Sequence, residues 1–239
     1  MIFYKKLNPI QAITFDLDDT LYENGSVIKN ATASLRAFQH KEFSITKSLD
    51  TQYWRKIEKE LLIDHPILHN DIGQLRFRSL QLGFQQLGYN EEQAVDAARR
   101  CFQHFYDQRS NFSVDANIHW ILKTLAEKIP LVAITNGNVD VEKIGIADYL
   151  SACFKSSVTV PMKPNIAMFD AAQDMLAIPA KNILHVGDNL EKDVFGAIRA
   201  GYQAAWYAED REMSLNSEQT LTLPHVQLQS LNQLLELVF

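Results

Sequence analysis

Short apolar runs alternate with helix-patterned segments through the second half of this chain, and that alternation admits few folds. Leu131-Val132-Ala133-Ile134-Thr135, Asn182-Ile183-Leu184-His185-Val186 and Ala204-Ala205-Trp206-Tyr207 each read as a buried strand, as does Ala12-Ile13-Thr14-Phe15 near the N-terminus. Between them Ile118, Ile121, Leu122 and Leu125 recur at helical spacing, and Pro130 ends that helix. Ile166 to Leu176 suits a second helix, and Val194 to Ala200 a third that Gly201 closes. His225 to Leu228 reads as a short last strand, followed by a C-terminal helix ending near Leu237. Apolar strands separated by helices pair in parallel and are covered on both faces. The predicted class is therefore α/β, with a Rossmann-like parallel sheet.

Between the first strand and the remainder lies a block of different character. Leu35 and Phe38 mark one helix there, and Trp54, Ile57, Leu61 and Leu62 a second. Phe77, Leu80, Phe84 and Leu87 mark a third, with Gly88 as its stop. Ala94, Ala97, Ala98, Cys101 and Phe105 mark a fourth, and no segment in the block patterns as a strand. The expected division is a core of residues 1–21 and 111–239 with a helical cap of residues 22–110 inserted into it. Such an insertion leaves the chain at the C-terminal edge of the sheet, where ligands of open α/β folds bind.

Charge and cysteine content exclude several roles. A net charge of −6 provides no global positive field for nucleic acid. No apolar run approaches the roughly 20 residues of a membrane span, and Met1-Ile2-Phe3-Tyr4-Lys5-Lys6 lacks the apolar stretch of a signal peptide. Cys101 and Cys153 have no zinc-ligand spacing and read as reduced thiols. The expectation is a cytoplasmic protein with neither nucleic acid nor membrane as partner, a monomer or weak homodimer.

Four polar clusters fall at predicted strand ends or in the loops beside them. They are Asp16-x-Asp18-x-Thr20, Thr135-Asn136-Gly137, Lys163-Pro164 and Gly187-Asp188-Asn189-x-x-x-Asp193. One D-x-D pair is weak, but four clusters in this order and context are specific. The constellation, with the helical insertion after the first cluster, resembles the haloacid dehalogenase superfamily of aspartate-nucleophile hydrolases, and the resemblance covers essentially the whole chain. It implies a phosphoryl-transfer site with a nucleophile, an acid for the leaving alkoxide and positive charge around the phosphoryl oxygens. On that resemblance Asp16 attacks phosphorus, while Asp18 protonates the leaving oxygen and then activates water. Magnesium is held by Asp16, the backbone carbonyl of Asp18 and Asp188. Thr135 and the backbone at Asn136 hold phosphate oxygens, and Lys163 neutralises both Asp16 and the phosphoryl group. Thr20 supports the first cluster by hydrogen bonding. Asp193 either touches a metal-bound water, orients Lys163 or caps the following helix. Asn189 stands where some members carry a second acid.

Other residues admit plainer readings. His185, inside an apolar strand, reads as a satisfied core histidine, and His65 and His69 flank Pro66 in a loop. In the cap, Arg76 and Arg78 either belong to a solvated face or send one guanidinium down to an anionic or carbonyl-rich substrate. Tyr22 lies where the cap hinge would position substrate. A halide leaves without a proton, so Asp18 favours phosphate transfer over dehalogenation. A sugar phosphomutase of the same superfamily and a non-hydrolytic phosphate-responsive binding protein are the alternatives. Phe15 to Tyr22, Arg76-Phe77-Arg78-Ser79, Pro130 to Asn138 and Ile183 to Asp188 are similar to a narrower group of bacterial phosphatases. That group acts on 5-amino-6-(5-phospho-D-ribitylamino)uracil of riboflavin synthesis, and its relatives act on FMN or sugar phosphates. The implied partner is a small phosphorylated metabolite.

Overall fold

The computed structural model describes residues 1–238. The chain begins with β1 (Ile2–Phe3) and β2 (Ala12–Phe15), then runs through four helices, α1 (Asn24–Glu42), α2 (Thr51–Asp64), α3 (Ile72–Gln86) and α4 (Glu91–Arg109). There follow α5 (Ala116–Ala126), β3 (Leu131–Thr135), β4 (Ala152–Lys155), α6 (Ala167–Leu176), β5 (Ile183–Gly187), α7 (Gly196–Arg199), β6 (Gln203–Trp206), β7 (Val226–Gln227) and α8 (Gln233–Val238). The strands form a single sheet in the order β1-β7-β6-β5-β2-β3-β4. Every pairing is parallel except that of β1 with β7.

Alternation along the strands builds two apolar layers. Ile13, Phe15, Leu131, Ala133, Leu184 and Val186 face one way, onto Ile121, Leu122 and Leu125 of α5 and Leu234 of α8. Ala12, Val132, Ile134 and Ile183 face the other, onto Met168, Phe169 and Ala172 of α6, with Val194 and Trp206. Two strands lack a sequence signature. β4 is Ala-Cys-Phe-Lys, half-buried at the sheet edge, and β1 has only two exposed residues. The segment expected as a helix over Val194 to Ala200 is helical, with α7 inside it, but the helix begins earlier, as a π-helical stretch over Leu190–Phe195 that runs into α7.

The helical block has cores of its own. Leu35, Leu80, Phe84, Ala97, Ala98, Cys101 and Phe105 form one, and Ile57, Leu61, Leu68 and Leu75 the other. The ends are set locally. Asp50 accepts from the backbone N–H groups of Gln52 and Tyr53 to start α2, and Asn90 and Gln93 form a reciprocal capping box on α4. Gly88, at φ +94°, takes the left-handed turn after α3. Cys101 and Cys153 are both free thiols. Among the described residues no helix is long and apolar enough to cross a membrane.

Strand order places the site. The chain leaves β2 toward β3 and β4, then returns to β5 on the opposite flank of β2. The crevice where crossovers diverge lies at the C-terminal ends of β2 and β5. Phe15 is level with both Ala133 and Val186, so Asp16, Thr135 and Asp188 emerge at one edge.

Candidate active site

The innermost feature is a buried charge cluster around Lys163. This side chain is almost fully enclosed, and its ammonium donates to Asp16 Oδ1 at 2.7 Å, Asp193 Oδ1 at 2.6 Å and the Ile134 carbonyl at 2.6 Å. All three N–H groups are thereby used. Asn136 fixes the lysine's backbone: its Nδ2 donates to the Lys163 carbonyl at 3.0 Å, and the Lys163 N–H donates to its Oδ1 at 2.8 Å. The Asn136 side chain thus positions Lys163.

Asp193 joins this cluster to the strands. Its Oδ1 lies 3.2 Å from His185 Nε2, and its Oδ2 accepts from the Asn189 N–H at 2.9 Å. His185 Nδ1 in turn meets Thr14 Oγ1 at 2.8 Å, so the buried imidazole is satisfied on both sides. A Cβ on residue 187 would collide with the Asp193 side chain, so only glycine lets this carboxylate approach β5 so closely. Of the three roles open to Asp193, the structure gives it contact with Lys163, and the turn after it is capped instead by Asn189, whose Oδ1 accepts from Glu191 and Lys192.

Burial sets the proton affinities. It pushes Asp16 up; Lys163 opposes this, while Asp193 and Asp18 reinforce it. Burial pulls Lys163 down, but the Asp16 and Asp193 carboxylates outweigh it and hold the ammonium at about 12. Asp193 sits well below the usual carboxylate range, because Lys163 and the His185 contacts overcome its burial. His185 is lowered, chiefly by burial.

Asp18 stands apart. Its Oδ1 accepts from the Tyr22 hydroxyl and from Arg109 Nη2, and its Oδ2 faces Gly137, where a Cβ would lie 2.5 Å away. Tyr22, expected beside substrate, therefore braces Asp18, and it lines a different cavity, with Val114 and Tyr207. Arg109 is 1% exposed and was not anticipated. A signal existed: the apolar stripe Ala94, Ala98, Cys101, Phe105 continues in register to Arg109, and a cation on a buried face requires a counter-charge. Asp19, at φ +59°, was also missed; its Oδ1 accepts from the Asn24 N–H at 2.8 Å, and its carbonyl accepts from Glu209. Thr20 departs from expectation. Backbone bonds from Thr20 and Leu21 to the Leu17 carbonyl close the loop, and the Thr20 hydroxyl is buried without a hydrogen-bond partner.

Thr135 Oγ1 accepts from the Gly137 N–H at 2.9 Å, which leaves its hydroxyl hydrogen available to a ligand. Asp188 presents its carbonyl to Trp206 Nε1 and Arg211 Nη2, and its Oδ2 to Arg211 Nη1 at 3.0 Å. Burial pushes its carboxyl up to about 7, with Asp193 adding and Arg211 opposing. Arg211 follows no apolar stripe, and nothing in its sequence surroundings marks it. Asp16, Asp188 and Asp193 each offer one carboxylate oxygen within 4.8 Å of the others, a grouping suited to a hard cation. Both oxygens of Asp193 are engaged by protein donors, whereas Asp16 Oδ2 and Asp188 Oδ1 accept no protein hydrogen bond.

These groups line a cavity of about 340 Å³ that includes Asp16, Asp18, Thr135, Lys163, Asp188 and Lys192. Neither Arg76 nor Arg78 borders it. Arg78 is exposed on another face of α3, and Arg76 lies in an adjoining groove within the helical block.

A family model for haloacid dehalogenase-like hydrolases matches residues 10–201. Over 238 residues the chain is 34% identical to the 5-amino-6-(5-phospho-D-ribitylamino)uracil phosphatase YigB of Escherichia coli, covering 100% of both. It is 24% identical to the N-acylneuraminate-9-phosphatase of Rattus norvegicus, over 95% of this chain and 93% of that one. Among solved structures, a 2-haloacid dehalogenase from Pseudomonas syringae has a TM-score of 0.90 at 30% identity, covering 96% of this chain and 98% of that chain.

Proposed function

Because the chain belongs to the haloacid dehalogenase-like hydrolases and is a phosphatase of that family, we propose that it hydrolyses phosphomonoesters of small metabolites through a phosphoryl group carried on Asp16, with 5-amino-6-(5-phospho-D-ribitylamino)uracil as substrate. The observation that carries this reading is the pair of carboxylates at the end of β2. Asp16 has one oxygen held by Lys163 and the other free, and Asp18 follows two residues on. A halide departs without a proton, whereas an alkoxide needs one, so the second carboxylate suits an ester substrate.

In this reading Asp16 Oδ2 attacks phosphorus and the ester P–O bond breaks as Asp18 delivers a proton to the departing oxygen. Asp18 then takes a proton from a water that attacks the phosphoaspartate, releasing inorganic phosphate and restoring Asp16. Thr135 Oγ1 donates to a phosphoryl oxygen. Lys163 has no N–H to spare, and it acts by holding Asp16 in place and supplying positive charge beside it. Asp188 Oδ1, the Asp18 carbonyl and the Asp16 Oδ1 that also accepts from Lys163 would hold magnesium, leaving Asp16 Oδ2 to attack; when bound, the ion would supply Lewis-acid stabilisation of the phosphoryl charge. Residues 22–110 act as a cap over the pocket, excluding water.

The test is phosphate release from a panel holding the ribitylaminouracil phosphate, FMN, sugar phosphates and an aryl phosphate, with magnesium or with EDTA. Magnesium-dependent release is expected, fastest on the ribitylaminouracil ester. Asp16→Asn is expected to lower turnover at least ~10⁴-fold, since the nucleophile is lost, with the fold intact. An Asp16→Asn enzyme of normal activity defeats the proposal.

A further inference from the structure

The helical block contains a groove of about 340 Å³ bounded by α1, α2, α3 and the loop before α2, with no residue of the sheet layer in its wall. Within the block α1 packs on α4, α4 on α3 and α3 on α2, which leaves α1 and α2 flanking this opening. The walls are largely apolar, with Leu35, Leu75 and Leu80 below and the Trp54 indole at the side.

One half-buried cation lies in that wall. The Arg76 guanidinium carbon sits over the Phe105 ring, 3.7 Å from its centroid. Its Nε is buried with no hydrogen-bond partner; among the described residues no carboxylate lies within ion-pair distance of it, and Glu58 acts on it only through space. Gln39, 3% exposed in the same wall, turns its amide to the buried Cys101 thiol and is not free for a ligand. A buried donor left unpaired costs free energy unless something supplies an acceptor. Arg36 and Arg55 add positive charge at the exposed rim, where Glu58 is the acid whose charge acts on Arg76 and Asp50 is engaged in capping α2.

The groove adjoins the sheet-edge pocket. Ile72 lines both. Phe105, beneath Arg76, is one helical turn before Arg109, which holds Asp18. The groove therefore opens on the side of the site where, on the function proposed above, the leaving oxygen takes its proton.

We infer that this groove receives the leaving group, that the leaving group is a flat ring bearing carbonyl oxygens, and that Arg76 is the specificity-determining residue that donates to them. The ring is called for by apolar walls and an indole; the carbonyls are called for because the Arg76 guanidinium, which has no hydrogen-bond partner, is a donor. A guanidinium resting on an aromatic ring presents a planar N–H fork, which an ammonium does not.

The test compares kcat/KM of wild type, Arg76→Met and Arg76→Lys on three esters with the same phosphorylated arm. These are the ribitylaminouracil phosphate and FMN, which carry a carbonyl-bearing ring, and ribitol 5-phosphate, which has none. The wild type is expected to favour a ring-bearing ester over ribitol 5-phosphate by at least tenfold. Arg76→Met is expected to reduce that preference at least tenfold, mainly through KM, and Arg76→Lys to restore part of it. A wild type without preference, an unchanged preference in Arg76→Met, or equal losses on all three esters overturns the inference while leaving the phosphatase reading standing. Absence of magnesium-dependent release from every ester by the wild type overturns both.

Discussion

Replacing Lys163 by Met tests the charge cluster on which the site rests. Met keeps much of the volume and removes a cation held between two buried carboxylates. The wild-type ammonium is raised from 10.5 to about 12, a difference worth roughly 2 kcal/mol. Because the folded value is the higher one, that stability is present in full below about pH 10.4 and is lost as pH rises through about 12. The substitution forfeits this and also leaves Asp16 facing Asp193 with no cation between them. Removing one partner of a buried pair costs about 3–5 kcal/mol. With a urea slope near 3 kcal/mol/M for a chain of this size, the midpoint at pH 7.5 is expected to fall by roughly 1–1.7 M. The measurement is made in EDTA, so that no divalent ion replaces the lost charge. On acidification to pH 5 the deficit should shrink, because Asp16, already pushed up by burial, takes a proton and ends the repulsion. A midpoint shift under about 0.3 M, or a deficit that grows from pH 7.5 to 5, refutes the reasoning.

Two further outcomes follow from single contacts. Asp18→Asn removes the proton donor while keeping an acceptor for Tyr22 and Arg109, so turnover of an alkyl phosphate should drop about 10²–10⁴-fold. Because Asp18 also serves hydrolysis of the phosphoaspartate, a step common to both esters, the comparison is made on the single-turnover burst of alcohol release: the loss there on an aryl phosphate, whose phenolate leaves more easily, should be at least tenfold smaller, and equal burst-rate losses on the two esters contradict an acid role. Gly187→Ala places a Cβ against the Asp193 side chain, and the resulting shift of that carboxylate should cost about 1–3 kcal/mol in a denaturation experiment; a neutral effect would mean that Asp193 is not held as tightly as the contact implies.

The sheet was legible because its central strands are apolar on both faces, and runs such as Leu131–Thr135 have no other reading at that length. β4 was not, because an edge strand buries only part of its surface and Ala-Cys-Phe-Lys carries no apolar run. The four polar clusters were legible by their spacing, and the structure brings them to one pocket. The division of labour among them was not. Asn136 binds the Lys163 backbone, and the Thr20 hydroxyl makes no hydrogen bond; both facts depend on how loops distant in sequence fold back, which spacing does not encode. Arg76 and Arg78 look equivalent as letters, and only the phase of α3 separates a guanidinium stacked on Phe105 from one in solvent.

Arg109 shows why the insertion point matters to the chemistry. The helical block leaves the core just after Asp19 and returns just after Arg109, and both ends are tied to the loop that carries Asp16 and Asp18. At the start of α1, the Asn24 N–H donates to Asp19 Oδ1; at the end of α4, Arg109 pairs with Asp18. Arg109 is itself buried, so it cannot leave Asp18 for water without exposing a charged group or breaking the packing of α4. A rotation of the block about its two connections therefore either carries the Asp18 carboxylate with it or breaks this pair. Asp16 has no such tie, since its partner Lys163 comes from the loop after β4 and is clamped by Asn136 at the end of β3. Two carboxylates two residues apart are thus tied differently: Asp16 to the sheet layer alone, and Asp18 both to the helical block through Arg109 and to Tyr22, which packs in the sheet-layer core. On the proposed function, the attacking Asp16 is then independent of the helical block, while the position of Asp18 is coupled to that block through Arg109.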